Sequence, residues 1–176
     1  MSKEISDFRQ VEKKEPLWTN SAFSGMPAYQ ISMRNFNLMA SIENFVIFKI
    51  FKAPSGYLIL AMISFYVLLL CFGVNPWLSI IGAIAFGFSS IHMVYLAGGH
   101  NSKAHAIALL PGIVGGLIYG YRKNFRIGGL FLCIFVCLQV SANHIQETYY
   151  LLFLIAAIII VEFYLSYKST SASGLF

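Results

Sequence analysis

WLSIIGAIAFGFSSIHMVYLA, residues 77–97, decides the fold class. It holds no Lys, Arg, Asp or Glu, and His92 is its one side chain that titrates near neutrality. A hydrocarbon core about 30 Å thick is crossed by roughly 20 such residues in a helix. Four further apolar segments surround it, at 57–73, 104–121, 127–142 and 149–166, the fourth in chain order (127–142) being short for a span. The breaks between them are helix-ending in character: Asn75-Pro76, Gly98-Gly99, the run YRKNFR at 121–126, and Asn143-His144. Backbone groups inside a bilayer must be satisfied internally, and so few connections exclude a barrel, so the segments are predicted helices. The expected fold is all-α: a polytopic transmembrane helix bundle of about five spans, preceded by an extracytoplasmic segment with an interfacial helix. By residue number the division is 1–56, 57–168 and a short polar tail at 169–176.

Composition agrees. Of 176 residues, 58% are hydrophobic and 11% charged, too apolar a surface for water. Aromatics gather at bilayer interfaces and Gly is common in transmembrane helices, which fits the 16 Phe, 10 Tyr and 14 Gly. The net charge of +5 does not imply nucleic acid, because the cations lie in short loops and a mixed-charge tail rather than one basic stripe. Cys71, Cys133 and Cys137 all fall in apolar segments and make no disulfide framework. Gly112, Gly116 and Gly120 recur every fourth residue, as do Ala83 and Gly87, giving smooth helix faces suited to close packing.

Arg122, Lys123 and Arg126 put three cations in five residues, which assigns that loop to the cytoplasm. Counting outward, the N-terminal segment, GGHNSK (98–103) and NHIQET (143–148) then share the outer face. A 50-residue segment placed outside with no preceding helix leads to the expectation that the sequence starts part-way into a longer protein; the alternative is that Met1 is the true start and the segment stays cytoplasmic, which inverts the topology and leaves the basic loop outside against the charge rule. Within it, FNLMASIENFVIFKIF (36–51) mixes apolar residues with Glu43 and Lys49 and is predicted to lie in the membrane interface.

Three polar clusters carry the candidate chemistry: EPLWTNSAFSGMPAYQ (15–30), GGHNSKAH (98–105) and ANHIQETYY (142–150). The first, with Trp18, Tyr29, Gly25 and Pro27, reads as an ordered loop. From the others come the candidate substrate-binding residues His100, Asn101, Lys103, His105, Asn143, His144 and Gln146. Lys103 offers a point charge to a phosphate, the start of the third span adds N–H donors, and the amides supply paired donors and acceptors. Helix capping and mutual hydrogen bonding are an equally open use of the same residues. A three-His metal site from His100, His105 and His144 lacks the i, i+4 spacing a transition metal prefers, so no cofactor is predicted and a divalent metal is unsupported. His92 is expected to be neutral and bonded to Ser89 or a neighbouring helix, and Glu162 to be structural, snorkelling or pairing with Lys168.

At these clusters the sequence resembles the bacterial YfhO-like membrane proteins, multi-span proteins similar to the GT-C class of glycosyltransferases. EPLWTNSAFSGMPAYQ, NPWLSIIGAIAFGFSS, AGGHNSKAHAIALLP and NHIQETYY carry the resemblance in order and spacing, over nearly the whole chain. It implies a fragment of a protein that takes a sugar from a polyprenyl-phosphate carrier to an envelope acceptor outside the cytoplasmic membrane. It also implies a catalytic acidic residue after a preceding helix. Glu4 and Asp7, in KEISDFR, resemble sequence downstream of that acid and do not inherit its role. His100, Lys103 and His105 are the residues expected to face the carrier phosphate. Alternatives of a different class are a non-catalytic lipid-binding or assembly subunit, part of a transporter, or an inactive remnant. Implied partners are membrane lipid, the polyprenyl-phosphate sugar, and other helices of a longer chain or oligomer.

Overall fold

A computed structural model describes residues 3–21, 24–30 and 38–173. The chain divides into two compact units, Met1–Asn37 and Leu38–Phe176.

In the first unit, helix α1 (Lys3–Glu12) turns Ile5 and Arg9, one helical turn apart, to its buried face. The Arg9 guanidinium donates twice to Glu15 Oε2, at 2.8 and 2.6 Å. A two-residue antiparallel ladder follows, β1 (Trp18–Thr19) against β2 (Met26–Pro27), then one 3₁₀ turn (Ala28–Gln30). Its tight turn requires Gly25, whose φ is +121° and whose missing Cβ would stand 2.9 Å from the Trp18 ring nitrogen. Buried Thr19 donates its hydroxyl to Glu4 Oε2 at 2.7 Å, and the Asn20 N–H donates to Glu4 Oε1 at 3.2 Å. These two donors, the hydroxyl foremost, hold the Glu4 carboxyl below the usual carboxylate range. The reading of 15–30 as an ordered loop thus has a framework, although Ala22 and Phe23 lie outside the described residues.

Among its described residues the second unit is built of helices: α2 (Leu38–Glu43) running into a π turn (Asn44–Phe48), α3 (Ser55–Cys71), α4 (Pro76–Gly87), α5 (Ser90–Ala97), α6 (Asn101–Arg122), α7 (Phe125–Ser141) and α8 (Ile145–Ser173). The predicted interfacial helix matches α2 and its π turn in place; Phe36 and Asn37 lie outside the described residues, as do residues 174–176 of the predicted tail. Caps fix several boundaries. Asn75 Oδ1 accepts the Trp77 N–H with Pro76 at the first helical position, and Asn124 Oδ1 accepts from Arg126 and Ile127. Gly99 at φ +75° and Asn143 at φ +53° take the left-handed positions between α5 and α6 and between α7 and α8.

Among the described residues three stretches are long and apolar enough to cross a membrane: Pro76–Ala97, Asn101–Arg122 and Ile145–Lys168. α3 and α7 are apolar but only 17 residues each, or about 25 Å of helix. The segment at 77–97 is not one rod: Ser89 is extended at ψ 148°, splitting α4 from α5. The run GFSS favours such a break, since Gly and Ser neighbours weaken the backbone ladder.

α6 is the centre, packed between α3 and α7. Leu60 and Ala61 of α3, Ala108, Leu109 and Ile113 of α6, Phe135 of α7 and Leu151 of α8 make the core. Pro111 interrupts the α6 ladder, and the buried Ser64 hydroxyl accepts the neighbouring Gly112 N–H at 2.8 Å, tying α3 to α6. On the other side the backbones of α6 and α7 touch. A Cβ on Gly116 would stand 2.6 Å from the Leu132 nitrogen, and one on Gly128 would collide with Gly120. The predicted stripe therefore packs as expected. Ala83 is buried too, and a Cβ on Gly87 would meet Met62 Cγ at 2.5 Å. Glu162 pairs with Arg122, Oε1 to Nη2 at 2.5 Å, so its partner comes from α6 rather than from Lys168.

Gly116→Val should force α6 and α7 apart and cost at least about 2 kcal/mol, as overpacking does. Gly129→Ala, whose Cβ meets nothing within 4 Å, should stay within about 0.5 kcal/mol of the parent; denaturant unfolding of the two variants in micelles measures the difference. In the N-terminal unit, a depressed carboxyl contributes stability above its unfolded pKa and loses it as pH falls through the folded one. Amide exchange at Asn20 should therefore accelerate as pH drops below about 4 relative to intrinsic rates, and Glu4→Gln should flatten that dependence.

Candidate functional site

The polar residues at the start of α6 separate into two groups. Lys103, in the first turn of α6, places Nζ 3.4 Å from Glu147 Oε1 in the first turn of α8 and 4.9 Å above the Tyr95 ring of α5. The edge of the same tyrosine meets the exposed His100 ring, with centroids 6.4 Å apart. The side chains of Lys103 and Glu147 are 27% and 12% exposed, so the pair sits at a boundary where an added ligand can reach the ammonium.

His105 belongs elsewhere. Its Nε2 lies 2.6 Å from Glu43 Oε1 of α2, with side chains 13% and 4% exposed. Its ring is boxed by Phe48 and Tyr57, at 5.9 and 5.5 Å between centroids. Of His100, Lys103 and His105, expected to face one phosphate together, the first two share the Tyr95 ring and His105 is set apart on Glu43. Local sequence offered Glu147 alone as a carboxylate; the chain brings Glu43 in from 62 positions away. The physical cause is burial: α2 packs its acidic residue inward, where a buried carboxylate needs a donor.

The remaining candidates lie around the start of α8 and the start of α6. Asn101 is exposed at the first position of α6. Asn143 forms the left-handed turn, and the His144 carbonyl accepts from the Thr148 hydroxyl at 3.3 Å. Gln146 is exposed and donates Nε2 to the Tyr150 hydroxyl at 3.2 Å. His144 Nδ1 is buried without a hydrogen-bond partner among the described residues. No three His, Cys, Asp or Glu side chains among the described residues gather as a metal-binding group, so His100, His105 and His144 are not a common ligand set.

Two residues of consequence stand outside the sequence-derived set. Tyr95 bridges His100 and Lys103. Gln139, on α7, is 1% exposed, and both side-chain polar atoms lack protein partners among the described residues. The antiparallel register that sets Leu132 at Gly116 and Phe135 at Gly112 brings Gln139 level with Ala108, about one turn from His105. A lone amide in LCIFVCLQVS is the signal that marks it. His92 meets expectation: its Nδ1 lies 2.9 Å from the Ser89 hydroxyl, while Nε2 is buried without a partner among the described residues.

No family model, curated protein or solved structure matches this chain.

Removing the Glu43 carboxylate should leave His105 without its charged acceptor and loosen α2, at a cost of about 1.5–3 kcal/mol. In Glu43→Ala, hydrogen exchange over residues 38–48 should rise while α6 and α7 keep their protection; unchanged exchange there would show that apolar contacts alone hold α2.

Proposed function

We propose that this chain belongs to a multi-pass protein of the bacterial cytoplasmic membrane that holds the phosphate of a lipid-linked sugar at the start of α6. The reading is that of a polyprenyl-phosphate-sugar-dependent glycosyltransferase of the envelope. The observation that carries it is the placement of Lys103: a cation in the first turn of a spanning helix, flanked by Tyr95 and by exposed His100. Its existing partner is a weak obstacle, because partly exposed ion pairs contribute about 0–1 kcal/mol. A phosphodiester oxygen can replace Glu147, and the free N–H groups of the α6 start favour that anion further.

In this reading α3 and α7 also span, bringing the total to about five, with their 17-residue length matched by a locally thinner bilayer. The loop containing Lys123 and Arg126 faces the cytoplasm, following the charge rule. The Lys103 end and the N-terminal unit then face outward, with α2 lying at the interface. Gln139, near the same end, offers an unpaired amide to a sugar hydroxyl or a buried water. A second reading, part of a solute transporter, draws on the break between α4 and α5 beside the half-partnered His92, since discontinuous helices frame transporter sites.

Lys103→Ala should weaken binding of a polyprenyl-phosphate sugar by about tenfold, equivalent to about 1.4 kcal/mol, and leave binding of the matching polyprenyl alcohol unchanged. Lys103→Arg should retain most of the affinity. Equal affinity of the parent for phosphate and alcohol forms would sink the phosphate reading, and solute flux in liposomes that depends on His92 would favour transport.

A further inference from the structure

The N-terminal unit carries an apolar surface at one end of its short ladder. Trp18 pairs with Pro27, and the Ala28 N–H donates to the Leu17 carbonyl at 3.0 Å, so Leu17, Trp18 and Tyr29 gather where the strands meet the 3₁₀ turn. They are 81%, 56% and 50% exposed. The Trp18 indole lies against Gly25, whose Cβ would stand 2.9 to 3.2 Å from three ring atoms, and its N–H is already given to Asn20 Oδ1 at 3.1 Å. These polar groups are thus satisfied within the unit. What Leu17 and Trp18 turn outward is hydrocarbon and aromatic surface.

Two cations stand beside this surface. Lys13 ends α1 in the left-handed region, at φ 52°, and Lys14 follows; both are exposed and form no ion pair among the described residues. Of the neighbouring carboxylates, Glu15 is held by Arg9 and Glu4 by Thr19 and Asn20, which leaves Glu12 as the adjacent acid against two lysines. From Lys13 to Leu17 the chain extends at most about 14 Å. Long lysine stems lie along apolar surface while their ammonium groups stay at a polar boundary.

We infer that this end of the N-terminal unit rests on the surface of an anionic bilayer, with Leu17, Trp18 and Tyr29 among the headgroups and Lys13 and Lys14 against their phosphates. Trp and Tyr favour that level because their rings are amphipathic, and cations near an anionic leaflet add an attraction that salt screens. Seven residues, 31–37, join the unit in sequence to the membrane-type helices, so lipid is a surface within its reach. A soluble partner fits less well. Three such side chains expose on the order of 400 Å², about half of the roughly 800 Å² that each partner gives a stable protein interface. The inference does not rest on the phosphate site proposed around Lys103.

Trp77→Phe leaves Trp18 as the sole tryptophan of the full chain, and its fluorescence in nanodiscs tests this. In discs of phosphatidylglycerol and phosphatidylcholine, lipids brominated near the headgroup should quench it about twofold or more, while acrylamide quenches it several-fold less than free tryptophan. Leu17→Asp, at an exposed position outside the ladder, should cut the lipid quenching several-fold; unchanged exchange protection at the Asn20 amide shows that the hairpin is intact. Lys13→Gln with Lys14→Gln should lower the quenching in phosphatidylglycerol-containing discs to the level seen in pure phosphatidylcholine. Trp18 open to acrylamide and untouched by brominated lipid overturns the proposal. So does Trp18 shielded from both, which would give the surface to protein. Parent quenching that is equal in the two kinds of disc overturns the contact with anionic headgroups.

Discussion

The backbone contact between α6 and α7 is the constraint on which the second unit rests. At Gly116, Gly120 and Gly128 no side chain separates the helices, so their crossing is set by main-chain sterics rather than adjustable packing. Association between apolar helices gains little from hydrophobicity when the surroundings are also apolar, and close van der Waals approach takes over. α6 meets α3 differently, through Ser64, which supplies an acceptor beside Pro111. One helix therefore satisfies an interrupted ladder on one side and a steric fit on the other. The α4 and α8 surfaces are left largely apolar and exposed, with Trp77, Ile81, Ile160 and Phe163 among the most exposed side chains. Lipid or further helices must cover them.

Around this scaffold polar groups sort by whether they are partnered. Glu43 and His105 close on each other in the shelter of Phe48 and Tyr57, which makes their contact a fixture of the fold. Lys103 and Glu147 meet at longer range and in a wetter place, where exchange of partners is easy. Gln139, His92 Nε2 and His144 Nδ1 carry the cost of burial with no protein hydrogen bond in return among the described residues. Such groups are uncommon in native proteins and are ordinarily met by water or ligand.

The membrane-type helices were legible because apolar length and punctuation are local properties; Asn75-Pro76, Gly99, Asn124 and Asn143 mark their ends in sequence and structure alike. The glycine stripe was legible for the same reason. The division of 77–97 at Ser89 was hidden, because GFSS breaks a helix only when its neighbours accept the bend. Glu43 reaching His105 and Arg122 reaching Glu162 were hidden more deeply: each joins positions 40 or more residues apart, and sequence periodicity says nothing about which helices become neighbours. The same limit applies to the grouping of His100 with Tyr95 and Lys103 rather than with His105. Proximity along the chain suggested one cluster, whereas the helix turns His100 and His105 to different companions.

The two ion pairs between α6 and α8 have a joint consequence for alignment. Both cations, Lys103 and Arg122, belong to α6, and both anions, Glu147 and Glu162, to α8. The helices run parallel, so the pairs act like pins at two heights on adjacent rods. A slide of α8 by one turn, about 5.4 Å, would unseat both pins together, and reversing its direction would exchange their levels. Long arms on the cations take up the unequal spacing of 19 residues on α6 against 15 on α8. A helix with little buried surface thus acquires its vertical position from charge placement, as a vernier reads from two marks rather than one.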